Sequence, residues 1–264
     1  MSSSWKVEWH GKKPKLRNPV LVEGLPGIGN VGKVAIDFII DELKAKKIAT
    51  FFSYSLPHSV FVNENNLVEL PSLELYYKEL KDQKKDLLFV AGEIQPIDEV
   101  SCYTFAETVL DVFQEFKGSD IITLGGIALR QIPEHPKVFI TGNDKKAVQQ
   151  YKSGTKADDQ IYGVVGPIMG ASGVLVGMAE KRKIPAVTLL AETLGHPLYL
   201  GVAGAKEIVA VLNTKLNLKI DATALDKEIK RVEKEMKQRI KALSQMQNQQ
   251  QGAEAIQQET SYIG

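Results

Sequence analysis

The segment Gly24-Leu25-Pro26-Gly27-Ile28-Gly29-Asn30-Val31-Gly32 ends in a G-x-G-x-x-G pattern. That spacing lets a backbone pass close to a pyrophosphate at the start of a helix. Phosphate binding is thus the first chemistry to test, with Lys33 directly after the motif. A dinucleotide site also wants an acidic residue after the next strand, and that strand ends Ser53-Tyr54-Ser55. A nucleotide P-loop wants a Lys-Ser or Lys-Thr pair, which does not follow. Gly27, Gly29 and Gly32 are therefore expected to form a structural tight turn, and no cofactor is assigned.

Proton transfer has two candidates, Glu93 and Glu192, which follow apolar strands and belong near the sheet edge where α/β sites form. Carboxylates at such places also cap helices. Ser172 lies in Gly170-Ala171-Ser172-Gly173, outside any G-x-S-x-G elbow, and is expected to cap a helix. His10, His58, His135 and His196 are scattered, three of them beside proline, without the spacing of a zinc site. They read as loop histidines, and no metal is expected.

The elements that position these residues follow a βα rhythm. An apolar strand Val20–Glu23 leads through the glycine turn to an amphipathic helix from Asn30 to Lys46 and a strand Ile48–Tyr54. Three short extended runs, Val60–Val62, Leu67–Leu70 and Leu73–Tyr77, punctuated by Asn63-Glu64-Asn65-Asn66 and Pro71, predict an antiparallel insertion. Strand Leu87–Ala91, helix Glu99–Phe116 and strand Ile121–Leu124, closing on Gly125-Gly126, resume the alternation. Strands Val138–Thr141, Ile161–Val165 and Ala186–Ala191 and a helix Ala203–Leu216 complete it. Ahead of this core, Trp5, Val7 and Trp9 alternate as a short edge strand.

Beyond Asn217 the pattern changes. Asp221–Ser244 lacks glycine, proline and aromatic residues, and Thr223 with Asp226 makes a capping-box-like start. Leu225, Ile229, Val232, Met236, Ile240 and Leu243 form a narrow apolar stripe, expected to pack a long helix against the core or other subunits. After Met246 a glutamine-rich run loses all periodicity. The expected organisation is an N-terminal segment 1–18, an α/β core 19–217, a C-terminal bundle-like or coiled-coil-like helix 218–246 and a flexible tail 247–264.

The chain has 264 residues, 44% hydrophobic and 25% charged, enough for one large core. A net charge of +1 offers no single-sign field for nucleic acid or an anionic membrane. The apolar stretches are too broken by glycine and proline to span a bilayer. A single cysteine, Cys102, and no secretory apolar run at the N-terminus point to the cytoplasm.

Taken together, Gly24-Leu25-Pro26-Gly27-Ile28-Gly29-Asn30-Val31-Gly32-Lys33, Leu124-Gly125-Gly126 and the Gly170–Gly177 turn and helix resemble the archaeal branch of the proteasome-assembly-chaperone-2 family. The resemblance spans Pro19 to Leu216. It implies a three-layer, mostly parallel α/β core similar to nucleoside phosphorylases without their catalytic equipment. It also implies a non-enzymatic assembly chaperone or adaptor that associates with itself and meets proteasome α-subunits or a paralogous chaperone. Members that dock on the proteasome carry a tyrosine next to last in the chain, whereas Tyr262 here precedes Ile263 and Gly264. Those three residues are the expected partner-binding tail. The alternative is a phosphorylase-like or nucleotide-binding enzyme using the Gly27–Gly32 turn for phosphate and Glu93 or Glu192 for proton transfer.

Overall fold

The structure is a computed structural model that describes residues 5–234 except 162, 164, 165, 228 and 233. The first 222 residues form one compact unit, and Thr223 onward forms a second. In chain order the first unit contains β1 (Trp5–Trp9), β2 (Val20–Gly24), α1 (Val31–Leu43), β3 (Lys46–Ser53), β4 (Phe61–Val62), β5 (Val68–Glu69), β6 (Leu73–Lys78) and β7 (Leu87–Gly92). It continues through α2 (Glu99–Glu115), β8 (Asp120–Leu129), β9 (Val138–Gly142), α3 (Lys145–Lys152), α4 (Ala171–Lys181), β10 (Ala186–Leu194) and α5 (Val202–Leu216).

Eight strands make one mixed sheet in the order β1-β3-β6-β7-β2-β8-β10-β9. The middle four, β7, β2, β8 and β10, run parallel, and antiparallel pairs flank them on both sides. The parallel strands β2 and β7 are apolar almost throughout and buried at nearly every position, as strands covered on both faces must be. Helices α1 and α5 pack together on one face, α2 and α4 on the other, giving the three layers. Phe51, Phe89, Phe105 and Phe113 are among the fully buried side chains of this core.

The alternating Trp5, Val7 and Trp9 form the edge strand β1, antiparallel to β3, with Trp5 stacked against Phe105 of α2 at 4.8 Å between ring centroids. The expected insertion divides: β4 and β5 form a separate hairpin, while β6 enters the main sheet between β3 and β7. Two strand expectations are corrected. Strand β8 runs straight through Gly125 and Gly126 to Leu129, paired with β10 throughout, and position 126 is glycine because a side chain there would collide with the Ile28 carbonyl. Gly126 admits the neighbouring turn, Gly125 makes room for the Leu190 side chain, and neither ends the strand. Ile161 and Gly163 lie outside any strand, and Tyr162, Val164 and Val165 lie outside the described residues.

The chain leaves α5 through a left-handed Asn217, and the Asn213 side chain bonds both the amide and the carbonyl of Ile220. In the second unit, residues 224–227 and 229–232 are helical, which places Leu225, Ile229 and Val232 on a helix. Met236, Ile240 and Leu243, and the tail Tyr262, Ile263 and Gly264, lie outside the described residues.

Candidate functional site

A cleft of about 460 Å³ opens at the carboxyl ends of β2, β8 and β10, where a parallel sheet places its functional groups. The turn after β2 supplies Leu25, Pro26 and Ile28, β8 supplies Leu124 to Ala128, and the segment leading into α4 supplies Gly166 to Gly170. Gln95 and Ser172 contribute its polar side chains, and among the described residues no charged side chain lines it.

The glycine turn at its rim is consumed by internal packing. Residues Ile28–Asn30 form a 3₁₀ turn in which the Asn30 amide donates to Gly27 and the Val31 amide to Ile28. Gly29 is left-handed, φ 59°, and its carbonyl accepts the Gly201 amide at 2.7 Å. At Gly32 an added Cβ would stand 2.5 Å from the Leu124 carbonyl oxygen, so this glycine brings α1 onto β8. Two amides that a phosphate cradle would aim at its ligand are thus bonded within the turn.

Lys33 is likewise committed. Its ammonium sits 2.7 Å from Asp37 and 2.7 Å from Glu93. Burial works against its charge, but the two carboxylates outweigh burial and hold the Lys33 pKa above its usual value. Glu93 is mostly exposed and spent in this pair. Glu192 lies on β10 and accepts the Lys137 amide at 2.9 Å, which ties the approach to β9 onto β10. Glu93 follows β7 and Glu192 lies on β10, strands separated by β2 and β8, about 14 Å across three strand spacings. They do not converge on one reacting atom.

Ser172 is not the expected cap. Gly170, φ 86°, caps α4 without a side-chain bond, and Ser172 sits one residue inside the helix. Its hydroxyl donates to Glu23 Oε1 at 3.1 Å. Glu23 is fully buried beside Val90 of β7 and Thr123 of β8, and its second oxygen, Oε2, has no hydrogen-bond partner. Burial pushes its carboxyl up to about 8, with the Ser172 bond opposing. The group is therefore neutral at neutral pH. Glu23 is the residue that sequence reasoning missed; the available signal was a carboxyl inside the otherwise apolar Val20–Gly24 strand.

His196 flanks a neighbouring pocket with Gly29 and Tyr199, and His10 shares a 2.7 Å hydrogen bond with Thr50. Among the described residues, no three metal-ligating side chains assemble. No described helix is long and apolar enough to cross a membrane.

Comparison with known proteins matches this architecture. The chain is 33% identical to Pyrococcus furiosus PbaB, an archaeal proteasome activator, over 89% of this chain and 98% of that one, with a TM-score of 0.82. P. furiosus PbaA, an archaeal homolog of proteasome-assembly chaperone, shares the fold at 22% identity and a TM-score of 0.72, covering 98% and 99%. An uncharacterised protein of Methanocaldococcus jannaschii is 27% identical over 94% of this chain and 93% of its own length. The PAC2 family model matches residues 21–240, and with this share of its length matched the chain belongs to the PAC2 family.

Proposed function

We propose that this chain is a non-enzymatic proteasome assembly chaperone or adaptor, a homo-oligomeric scaffold that presents C-terminal tails to the proteasome α-ring or a paralogous partner. The observation that carries this is the 33% identity with PbaB, an archaeal proteasome activator, across 89% of the chain. The chemistry of the cleft agrees. A phosphorylase-like enzyme must hold phosphate, and among the described residues no cation lines the cleft beside the Gly27–Gly32 turn. Glu93 and Glu192 are held apart in structural bonds.

Self-association has a surface to use. The β4–β5 hairpin exposes Val62, Leu67, Val68 and Leu70. A lone two-stranded hairpin is marginal in water, and a second copy covering these side chains stabilises it. In the stripe Leu225, Ile229, Val232, Met236, Ile240 and Leu243, Leu225 and Val232 are already buried within the single chain, and the other positions supply the helical face for other subunits. Tyr262 and Ile263 then act as apolar anchors, with Gly264 beside them, in the partner's pocket. We place this activity in an archaeal cytoplasm.

The test is affinity capture from a native archaeal extract, with full-length protein and with protein ending at Met246. Proteasome α-subunits should be retained by the first and lost with the second. Equal retention by both would remove the tail from the function, and retention by neither would remove the proteasome.

A further inference from the structure

The two edges of the main sheet are finished differently. At β9 the chain closes its own edge: the Ile140 amide donates to the Asp158 carbonyl at 2.8 Å, and the Asp158 amide donates to the Val138 carbonyl at 2.9 Å. At β1 it does not. The His10 amide donates to the Ile48 carbonyl of β3 at 2.8 Å. Antiparallel alternation then turns the bonding groups of Glu8 and Lys6 inward to β3 as well, and those of Val7 outward. Among the described residues nothing bonds the Val7 amide or carbonyl.

An open edge is ordinarily blunted by a proline, a bulge or an inward-pointing charge. Strand β1, Trp5-Lys6-Val7-Glu8-Trp9, has none of these. Its register with β3 is unbroken, and Trp5, Val7 and Trp9 pack against the apolar core that α2 shares. Lys6 and Glu8 alternate onto the opposite, exposed face. Lys6 lies over the Tyr54 ring at 5.3 Å, and among the described residues neither Lys6 nor Glu8 has an ion-pair partner.

We propose that β1 is a pairing strand for a second copy of this chain, the two β1 strands running antiparallel about a twofold axis at Val7, so that two eight-stranded sheets join edge to edge. This rests on the self-association proposed above and adds to it a surface separate from the β4–β5 hairpin. The strand is self-complementary in that register. The two Val7 residues exchange both of their outward backbone bonds. Lys6 of each copy stands opposite Glu8 of the other in a non-hydrogen-bonded pair, the kind whose Cα atoms approach to about 4.5 Å and whose side chains lie closest. Trp5 stands opposite Trp9 on the core-facing side, an aromatic cross-strand pair. Moving the axis by one residue would set Lys6 on Lys6 or Glu8 on Glu8, and like charges directly opposite disfavour pairing. Sliding one strand by a single residue would bring its charged face onto the partner's apolar one. The charge pattern therefore selects a second copy over an unrelated strand.

Native mass spectrometry of the full chain over a concentration series, with amide exchange read at Val7, tests this. Lys6→Glu and Glu8→Lys should each weaken association about tenfold, because each sets like charges opposite one another. The double variant carrying both changes should associate as the unsubstituted chain does, and an equimolar mixture of the two single variants should form mixed oligomers in preference to unmixed ones. Val7→Pro removes the outward donor without touching a bond to β3, so it too should weaken association while melting stays within a few degrees. The Val7 amide should be protected in the unsubstituted oligomer and lose that protection in Lys6→Glu. The proposal is overturned, with self-association left standing, if these variants keep the full oligomer mass or if the double variant fails to restore it. Free exchange at Val7 in the purified oligomer also overturns it, and leaves the edge to a strand of another protein. A chain that is monomeric at every concentration overturns both this proposal and the self-association on which it rests.

Discussion

An added Cβ on Gly32 would stand 2.5 Å from the carbonyl oxygen of Leu124, so the last glycine of the G-x-G-x-x-G motif is a contact between α1 and β8. The first glycine of the motif differs. Gly27 is extended, φ −166°, and an added Cβ there meets nothing within 4 Å. Gly32→Ala should therefore destabilise the fold by about 1–3 kcal/mol through overpacking, and Gly27→Ala should stay within about 0.5 kcal/mol. Urea unfolding of the two variants checks this. Equal, small effects would mean that α1 does not rest on β8 through Gly32.

Glu23 makes stability depend on pH in a defined direction. Its folded pKa is raised from the ordinary 4.5 to about 8, so between those values the folded state holds a proton that the unfolded state has released. The contribution is full below the unfolded value and is lost as pH rises through about 8, at up to about 1.4 kcal/mol per pH unit. Glu23→Gln should flatten the fall in denaturant midpoint between about pH 5 and about pH 8. An unchanged slope in the variant would show that Glu23 is ionised in the folded protein.

Asp86 acts with the opposite sign. Burial alone would raise its pKa, but bonds from the Arg17 side chain and from the Leu80 and Arg17 amides hold it below the ordinary 3.8. Its two oxygens accept the Arg17 amide at 2.7 Å, the guanidinium at 2.8 Å and the Leu80 amide at 2.9 Å, fastening the entry to β2 against β7. That stability is present above the unfolded carboxylate pKa and is lost as pH falls through the folded one. Asp86→Ala should cost about 2–3 kcal/mol at neutral pH by leaving those donors unpaired, with the difference shrinking in acid. Thermal melts at two pH values read it directly.

Legibility from sequence followed how local each cause is. The βα alternation, the Trp5–Trp9 edge strand and the β4–β5 hairpin were readable, because period and turn residues belong to one segment. Gly125 and Gly126 misled because a glycine pair signals a turn, while the causes here are the Leu190 side chain for Gly125 and, for Gly126, the Ile28 carbonyl nearly one hundred residues earlier. The site was legible as a glycine-lined edge, but its chemistry was not. Glu23 reads as the tail of an apolar strand until α4, about 150 residues later, sets Ser172 upon it.

The hairpin and the C-terminal helix should govern assembly separately from folding. Replacing Val62 and Val68 with lysine should lower the oligomer order in native mass spectrometry and leave the core's melting within a few degrees. Ending the chain at Ala222 keeps Leu218 and Ile220 in the core and removes the stripe that begins at Leu225. It too should lower oligomer order. If both variants keep the native mass of the full chain, self-association uses another surface.

The central claim is that the tail docks this scaffold on a proteasome α-ring, and surface plasmon resonance on immobilised α-rings tests it most directly. One tail alone binds weakly, but several on one oligomer raise the effective concentration to roughly millimolar, and avidity then gains about 10²- to 10⁴-fold. Intact oligomer should bind with slow dissociation, Tyr262→Ala should weaken it far more than Gln257→Ala, and dispersed single subunits should dissociate quickly. Undiminished binding by Tyr262→Ala, or no binding by the intact oligomer, would contradict the account.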